Sequence, residues 1–256
     1  MRRASAHCSV AFAVLALLAL GACKPQVDDK RPETAREFPT ADRPVSGVVS
    51  NAFSNEQERD RLGEADMVMN LAGIKPGMSV ADIGAGEGYY TVRLAERVGD
   101  KGRVLAQDID GDALRRLGSR VEHDRLDNVS IKPGGVDDPR LPERSFDRVL
   151  LIHMYHEVTE PYAFAWRMWP SLKAGGKIVV VDLDRSTDRH GIPPALLICE
   201  LEAVGFRLDE FHRKPEIAGY YAQFVAAKSR PEPGEIKPCR LKTAKGASAT
   251  SALKGN

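Results

Sequence analysis

The sequence has little excess charge of either sign. Lysine and arginine total 37 against 36 aspartates and glutamates, a formal net charge of +1. That balance lacks the basic surplus that neutralises phosphates, so nucleic acid is not an expected partner. Membrane-spanning length is missing as well. The apolar run VAFAVLALLAL, Val10 to Leu20, is too short to cross a bilayer, which takes ~20 residues. Cysteine is scarce, with four residues at positions 8, 23, 199 and 239, none at metal-site spacing. The helical His-Glu-x-x-His pattern of many zinc sites is absent too, and no metal is expected.

What is present at the N-terminus reads as an export signal. A positive start, MRR, precedes the short apolar run, and LGAC (Leu20 to Cys23) follows it. Small residues before a cysteine at this point resemble a bacterial lipobox. The resemblance implies cleavage before Cys23, so that residues 1–22 are a signal peptide, and lipidation of Cys23. Lys24 in the next position favours the outer membrane if the cell is Gram-negative. Residues 23–54, rich in proline and charge, predict a solvated, disordered tether. Residues 229–256, rich in Pro, Lys, Ala and Ser, predict a disordered tail. With Cys8 removed and Cys23 lipidated, only Cys199 and Cys239 remain to pair. Cys199 lies in an apolar helical run and Cys239 in the polar tail, which favours a buried free thiol at Cys199.

Residues 55–228 alternate between strand and helix signals. Leu62, Ala65, Met69 and Ala72 share a face at helical spacing, predicting one helix over residues 55–72. SVADIG, GRVLAQDI, NVSIKP, FDRVLLIH and KIVVVDLD predict five strands separated by helices, and FRLDEFHR and GYYAQFVAAK a closing pair. The helix PYAFAWRMWPSLK is expected to stop at Gly175-Gly176. Such alternation gives an α/β fold: a doubly wound, Rossmann-like, seven-stranded, mostly parallel sheet with a C-terminal antiparallel strand. Ligands bind such sheets at the carboxyl ends of the strands, at the switch point.

The first strand ends in DIGAGEG, Asp82 to Gly88, with glycines at 84, 86 and 88. A phosphate loop needs Gly-Lys-Ser/Thr, and here Gly88 is followed by Tyr89-Tyr90. A dinucleotide loop needs Gly or Ala where Tyr89 stands. A nicotinamide or flavin enzyme is therefore disfavoured.

The arrangement Asp-x-Gly-x-Gly-x-Gly resembles motif I of the class I S-adenosylmethionine-dependent methyltransferases, of the small-molecule type. VLAQDID supplies Asp108 at the end of strand two, with Asp110 the less favoured choice. GGVDDPRLPERSFDRVLLIHMYHEV and LKAGGKIVVVD resemble later stretches of the same family, with Ala174 replacing the usual proline. The resemblance implies S-adenosylmethionine as cofactor and a small-molecule or lipid-like methyl acceptor. It implies that Asp82 attracts the cofactor's ammonium and that Gly84, Gly86 and Gly88 let the backbone pass close to it. It places Asp108 on the ribose hydroxyls, Asp137 (or the adjacent Asp138) on the adenine amino group, and Tyr89 or Tyr90 at the methionyl end.

Methyl transfer needs alignment first, and a base only where the acceptor must lose a proton. His156, just after strand four, is the candidate base, beside the plainer role of shaping its loop. His190, in the loop after strand five, is a possible substrate contact. A metal set of His153, His156 and Glu157 is the least favoured reading of this stretch. A lipobox and a cytosolic cofactor conflict, so a non-catalytic binding lipoprotein that keeps the fold is the alternative.

Overall fold

The computed structural model describes residues 30–47, 56–217 and 219–240. The expected signal peptide, Cys23 and the end of the expected tail lie outside the described residues. Apart from Lys30, the described residues belong to one compact unit, Arg31–Asn256.

Seven strands form one sheet: β1 (Ser79–Ile83), β2 (Arg103–Asp108), β3 (Val129–Pro133), β4 (Phe146–Ile152), β5 (Leu172–Leu183), β6 (Phe206–Lys214) and β7 (Gly219–Ala226). Their order is β3-β2-β1-β4-β5-β7-β6. The pairs from β3 across to β5 are parallel, and β7 runs antiparallel to both β5 and β6. The order reverses between β1 and β4, which puts the switch point beside DIGAGEG.

Helices α1 (Glu56–Arg61), α2 (Glu64–Leu71), α3 (Tyr89–Val98), α4 (Gly111–His123), α5 (Pro161–Met168) and α6 (Pro194–Ala203) connect and cover the sheet. Side chains alternate along a strand, so a strand covered on both sides must be apolar at every position. On β4, Val149 and Leu151 join the core cluster of α5 and α6, while Leu150 and Ile152 join that of α2 and α3. On β5, Ile178 and Val180 face the first cluster, and Val179 and Val181 the second. Each such side chain contributes roughly 1.5–3 kcal/mol by its burial.

Three sequence expectations change. The single helix over 55–72 is two helices, because Gly63 takes a left-handed conformation (φ +63°) between them. The helix before β5 ends at Met168 rather than at Gly175-Gly176. Pro170 follows in a short 3-10 turn, and both glycines lie within β5. The third change concerns the ends. Residues 31–47, expected as solvated tether, are packed as a strap on the domain. Ala35 and Phe38 are buried in the first core cluster, and Phe38 meets Trp166 edge-on at 5.6 Å. Arg43 is fully buried: its Nε donates to Glu200 Oε1 (2.8 Å), and its other nitrogens donate to the carbonyls of His156 (3.3 Å) and Val158 (3.2 Å).

Residues 229–240, expected as disordered, also pack. Arg230 lies 3.2 Å over the Trp166 ring, and Trp166 Nε1 donates to the Pro231 carbonyl. Cys239 is disulfide-bonded to Cys199, with Cα atoms 6.0 Å apart, so Cys199 is not a free thiol. The packing of Arg230 and Pro231 on α5, and the Cys239 N–H donated to Tyr162 Oη (2.6 Å), carry Cys239 to α6.

Candidate functional site

A cleft of about 900 Å³ lies at the carboxyl ends of β1, β2, β4 and β5. Among the described residues, the large apolar side chains left exposed are Leu62, Ile109 and Val136, and all three line it. Exposed apolar side chains gathered at one concave site mark a surface kept for a ligand.

The glycine loop forms one wall. Gly84 and Gly86 line the cleft. Gly86 has φ +55°, open space where a Cβ would sit, and an N–H that donates to Asp108 Oδ2 at 2.8 Å. A side chain there would be strained and would fill the space a ligand needs. Gly88 serves the scaffold: at φ +90°, its Cβ would fall 2.4 Å from Leu117 of α4. It caps α3, which starts at Tyr89.

Asp108 stands at the end of β2, on the cleft. Each of its carboxylate oxygens accepts one backbone N–H, from Gly86 and from Asp110 (2.9 Å). A carboxylate has about four acceptor positions, so capacity for a diol remains. Asp110, the less favoured alternative, caps α4 by accepting the N–H groups of Asp112 and Ala113. Asp82 is buried beneath the loop and accepts the Thr91 hydroxyl at 2.6 Å. Burial pushes its carboxyl up to about 6, against the pull of the Thr91 hydrogen bond.

Asp137 is placed differently from the expectation. It does not line the cleft, whereas its neighbours Gly135 and Val136 do. Its carboxylate accepts from Thr34 of the strap and from Arg167 of α5, both at 2.6 Å. Asp138 accepts the Arg140 N–H at 2.7 Å. The side chains offered beside Asp108 are the apolar Ile109 and Val136, which suit the faces of a flat ring.

The opposite end of the cleft holds a charged network that the sequence did not reveal. Arg59 lies 3.8 Å over the Tyr89 ring and donates to Glu64 Oε1 at 2.7 Å. Tyr90 also donates to Glu64, and His153 Nε2 stands 3.4 Å from it. Burial works against the Glu64 charge, but hydrogen bonds from His153 and Arg59 hold its carboxyl down at about 2. Arg59 sits within EQERDR, whose run of charge reads as a solvated face, so no sequence signal marked it.

Beyond β4 and β5 lies His156, buried, with Nδ1 3.0 Å from both carboxylate oxygens of the buried Asp182. A carboxylate on Nδ1 fixes the ring and leaves Nε2 as the chemically available nitrogen. Nε2 stands 3.8 Å from Glu157 Oε1, and the ring meets that of His190 edge-on at 5.8 Å. His190 has φ +54° and donates its N–H to Ser46 of the strap. The sequence grouped His153 with His156 and Glu157. The structure instead turns His153 to Glu64 and brings His190 to the pair. Asp182 was missed because KIVVVD reads as a strand end, with nothing to show which loop it faces.

Residues 80–176 match the family profile "Methyltransferase domain". A ubiquinone/menaquinone biosynthesis C-methyltransferase of Shewanella oneidensis is 31% identical over 119 residues, 46% of this chain and 47% of that protein. The counterpart from Shewanella frigidimarina is 31% identical over 124 residues, 48% of each chain. The chain thus spans about half the length of these relatives. A solved S-adenosylmethionine-dependent methyltransferase from Aquifex aeolicus superposes with a TM-score of 0.58 at 21% identity, over 68% of this chain and 98% of that one. The [4+2]-cyclase SpnF gives 0.58 at 17% identity, over 76% and 91%. The fold is that of the class I methyltransferases, and the cofactor these similarities imply is S-adenosylmethionine.

Proposed function

We propose that the protein is a methyltransferase that binds S-adenosylmethionine in this cleft and methylates a small-molecule or lipid-like acceptor. One observation carries the proposal. Gly86, Asp108 and the exposed Ile109 and Val136 converge at the switch point beside a buried acid, Asp82. SpnF shows that the fold alone does not fix the reaction, so the argument rests on the site.

When bound, the cofactor supplies a methyl group on a sulfonium, which an in-line nucleophile takes as the carbon–sulfur bond breaks. Asp108 would accept the two ribose hydroxyls, and Ile109 and Val136 would offer apolar surface to the adenine. Asp82, ionised at neutral pH, draws the ammonium from beneath the loop, directly or through water. Arg59, already ordered by Tyr89 and Glu64, would attract the cofactor's carboxylate. His156, oriented by Asp182, presents Nε2 on the acceptor side. The C-methyltransferase named among the relatives acts in quinone biosynthesis, which supports a lipid-like acceptor.

The lipobox at Cys23 supports attachment to the cell envelope, on the periplasmic side. The Cys199–Cys239 disulfide supports the same reading, because such bonds persist in oxidising compartments. These two features also favour a second reading, a binding lipoprotein without turnover, since the cofactor is made in the cytosol. One assay separates the two. Full-length protein is incubated with S-adenosylmethionine and a lipid extract of the producing cells. Release of S-adenosylhomocysteine that depends on both protein and extract is the expected result. Saturable cofactor binding with no product favours the binding module.

A further inference from the structure

The geometry points to a divalent metal site at the acceptor end of the cleft, formed by His156, Glu157 and His190. Each offers one ligand atom, and the three atoms lie within 4.8 Å of one another. Ligand atoms ~2.1 Å from one tetrahedral centre lie about 3.4 Å apart, so side-chain rotation of about 1 Å closes the set. The set is two imidazoles and a carboxylate, which suits first-row divalent ions and leaves coordination positions open.

Three further observations support a built site. First, Asp182 holds His156 Nδ1 through both carboxylate oxygens at 3.0 Å. A carboxylate behind a histidine fixes the tautomer whose Nε2 binds metal and raises its basicity. Second, His190 is held in the left-handed region, at φ +54°. That conformation is uncommon for a residue other than glycine, and such residues cluster at functional sites. Third, the strap holds the backbone on either side of Glu157 and at His190. Arg43 holds the carbonyl of His156 and that of Val158, next to Glu157. Ser46 accepts the His190 N–H and donates to the Thr187 carbonyl.

All three ligands line the same cleft as Gly84 and Met154, so the metal shares the cavity proposed for the methyl donor. A cation there holds an acceptor that carries oxygen or nitrogen donor atoms and lowers the pKa of a bound hydroxyl. The metal then takes the place of His156 as a free base. Cation binding itself is independent of the methyltransferase reading and is measured without cofactor.

The test uses untagged full-length protein, stripped with chelator and titrated with Co2+ and Zn2+. One Co2+ per chain, with visible absorption from nitrogen ligation that Zn2+ displaces, is expected. His190→Gln and Glu157→Gln each weaken binding by at least tenfold, and Asp182→Asn weakens it 10- to 100-fold. Thermal melts of each variant establish that it is folded. Should His190→Gln fail to fold, Glu157→Gln decides the question. Absence of binding at millimolar Co2+ overturns the inference. So does binding that these variants leave unchanged, which would put the ion elsewhere.

Discussion

Asp82 and Asp108 are both carboxylates at the ends of neighbouring strands, yet they face different environments. Asp108 lines the cleft, and in the proposed binding mode its loss removes the ribose contact directly. Asp108→Ala is expected to weaken S-adenosylmethionine binding at least 100-fold, as read by calorimetry, because two hydrogen bonds to a charged group vanish at ~1.5–3 kcal/mol each. Asp82, buried beneath the loop, is proposed to act through its charge. Its carboxyl titrates at about 6, so a bound ammonium favours its ionised form. Binding therefore releases a proton near that pH, and affinity falls up to ~tenfold per unit as pH drops below 6. The sign for stability is opposite. The folded-state pKa is raised, so the charged form costs stability, and that cost grows as pH rises from about 4 to about 6. Asp82→Asn should raise the Tm of the ligand-free protein at pH 7, leave it unchanged near pH 3, and weaken cofactor binding at pH 7. An Asp82→Asn protein that binds as tightly as the parent would remove the ammonium role.

The strap and α6 are joined by Arg43 and Glu200, whose side chains are 0% and 1% exposed. Removing one partner strands the other charge in the core. Arg43→Met alone is expected to destabilise the fold by about 3–5 kcal/mol in urea denaturation, and Arg43→Met with Glu200→Met to recover most of that. If the strap were solvated, Arg43→Met would be nearly silent. This element marks where the sequence ceased to be readable. The sheet was legible, because β4 and β5 must be apolar on both faces and DIGAGEG carries its glycines at the strand end. The strap was not, since anchors such as Phe38 and Arg43 stand in a proline- and charge-rich run without periodicity. Gly63, inside the predicted 55–72 helix, takes positive φ and divides it. Pro170 ended α5 before the glycines could. In the site, Gly84, Gly86, Tyr89 and Asp108 line the cleft, whereas Gly88 packs against α4 and Asp82 lies beneath the loop. Asp137 stands off the cleft, because the resemblance of GGVDDPRLPERSFDRVLLIHMYHEV says nothing of Thr34 and Arg167, which occupy its carboxylate. Arg59, Asp182 and the approach of His190 to His156 are set by tertiary contacts between elements far apart in sequence.

At the scale of the molecule, the disulfide joins α6 to the C-terminal segment across 40 residues of chain. Closing a loop of that length stabilises the fold by about 4 kcal/mol in the chain-entropy picture. Cys199→Ser with Cys239→Ser should lower the denaturation midpoint by an amount of that order, and reductant should do the same to the parent. Thiol labelling of freshly extracted protein gives the compartment's answer: unreactive cysteines at 199 and 239 accord with export, and reactive ones with a cytosolic enzyme. The lipobox and the disulfide support the proposed envelope location, and the cleft supports the proposed cofactor site. The central claim is that this cleft holds S-adenosylmethionine, and isothermal titration of the disulfide-bonded protein tests it most directly. One equivalent bound with micromolar affinity, weaker below pH 6 and lost in Asp108→Ala, is the result predicted. No detectable binding, or binding that Asp108→Ala leaves intact, would contradict it.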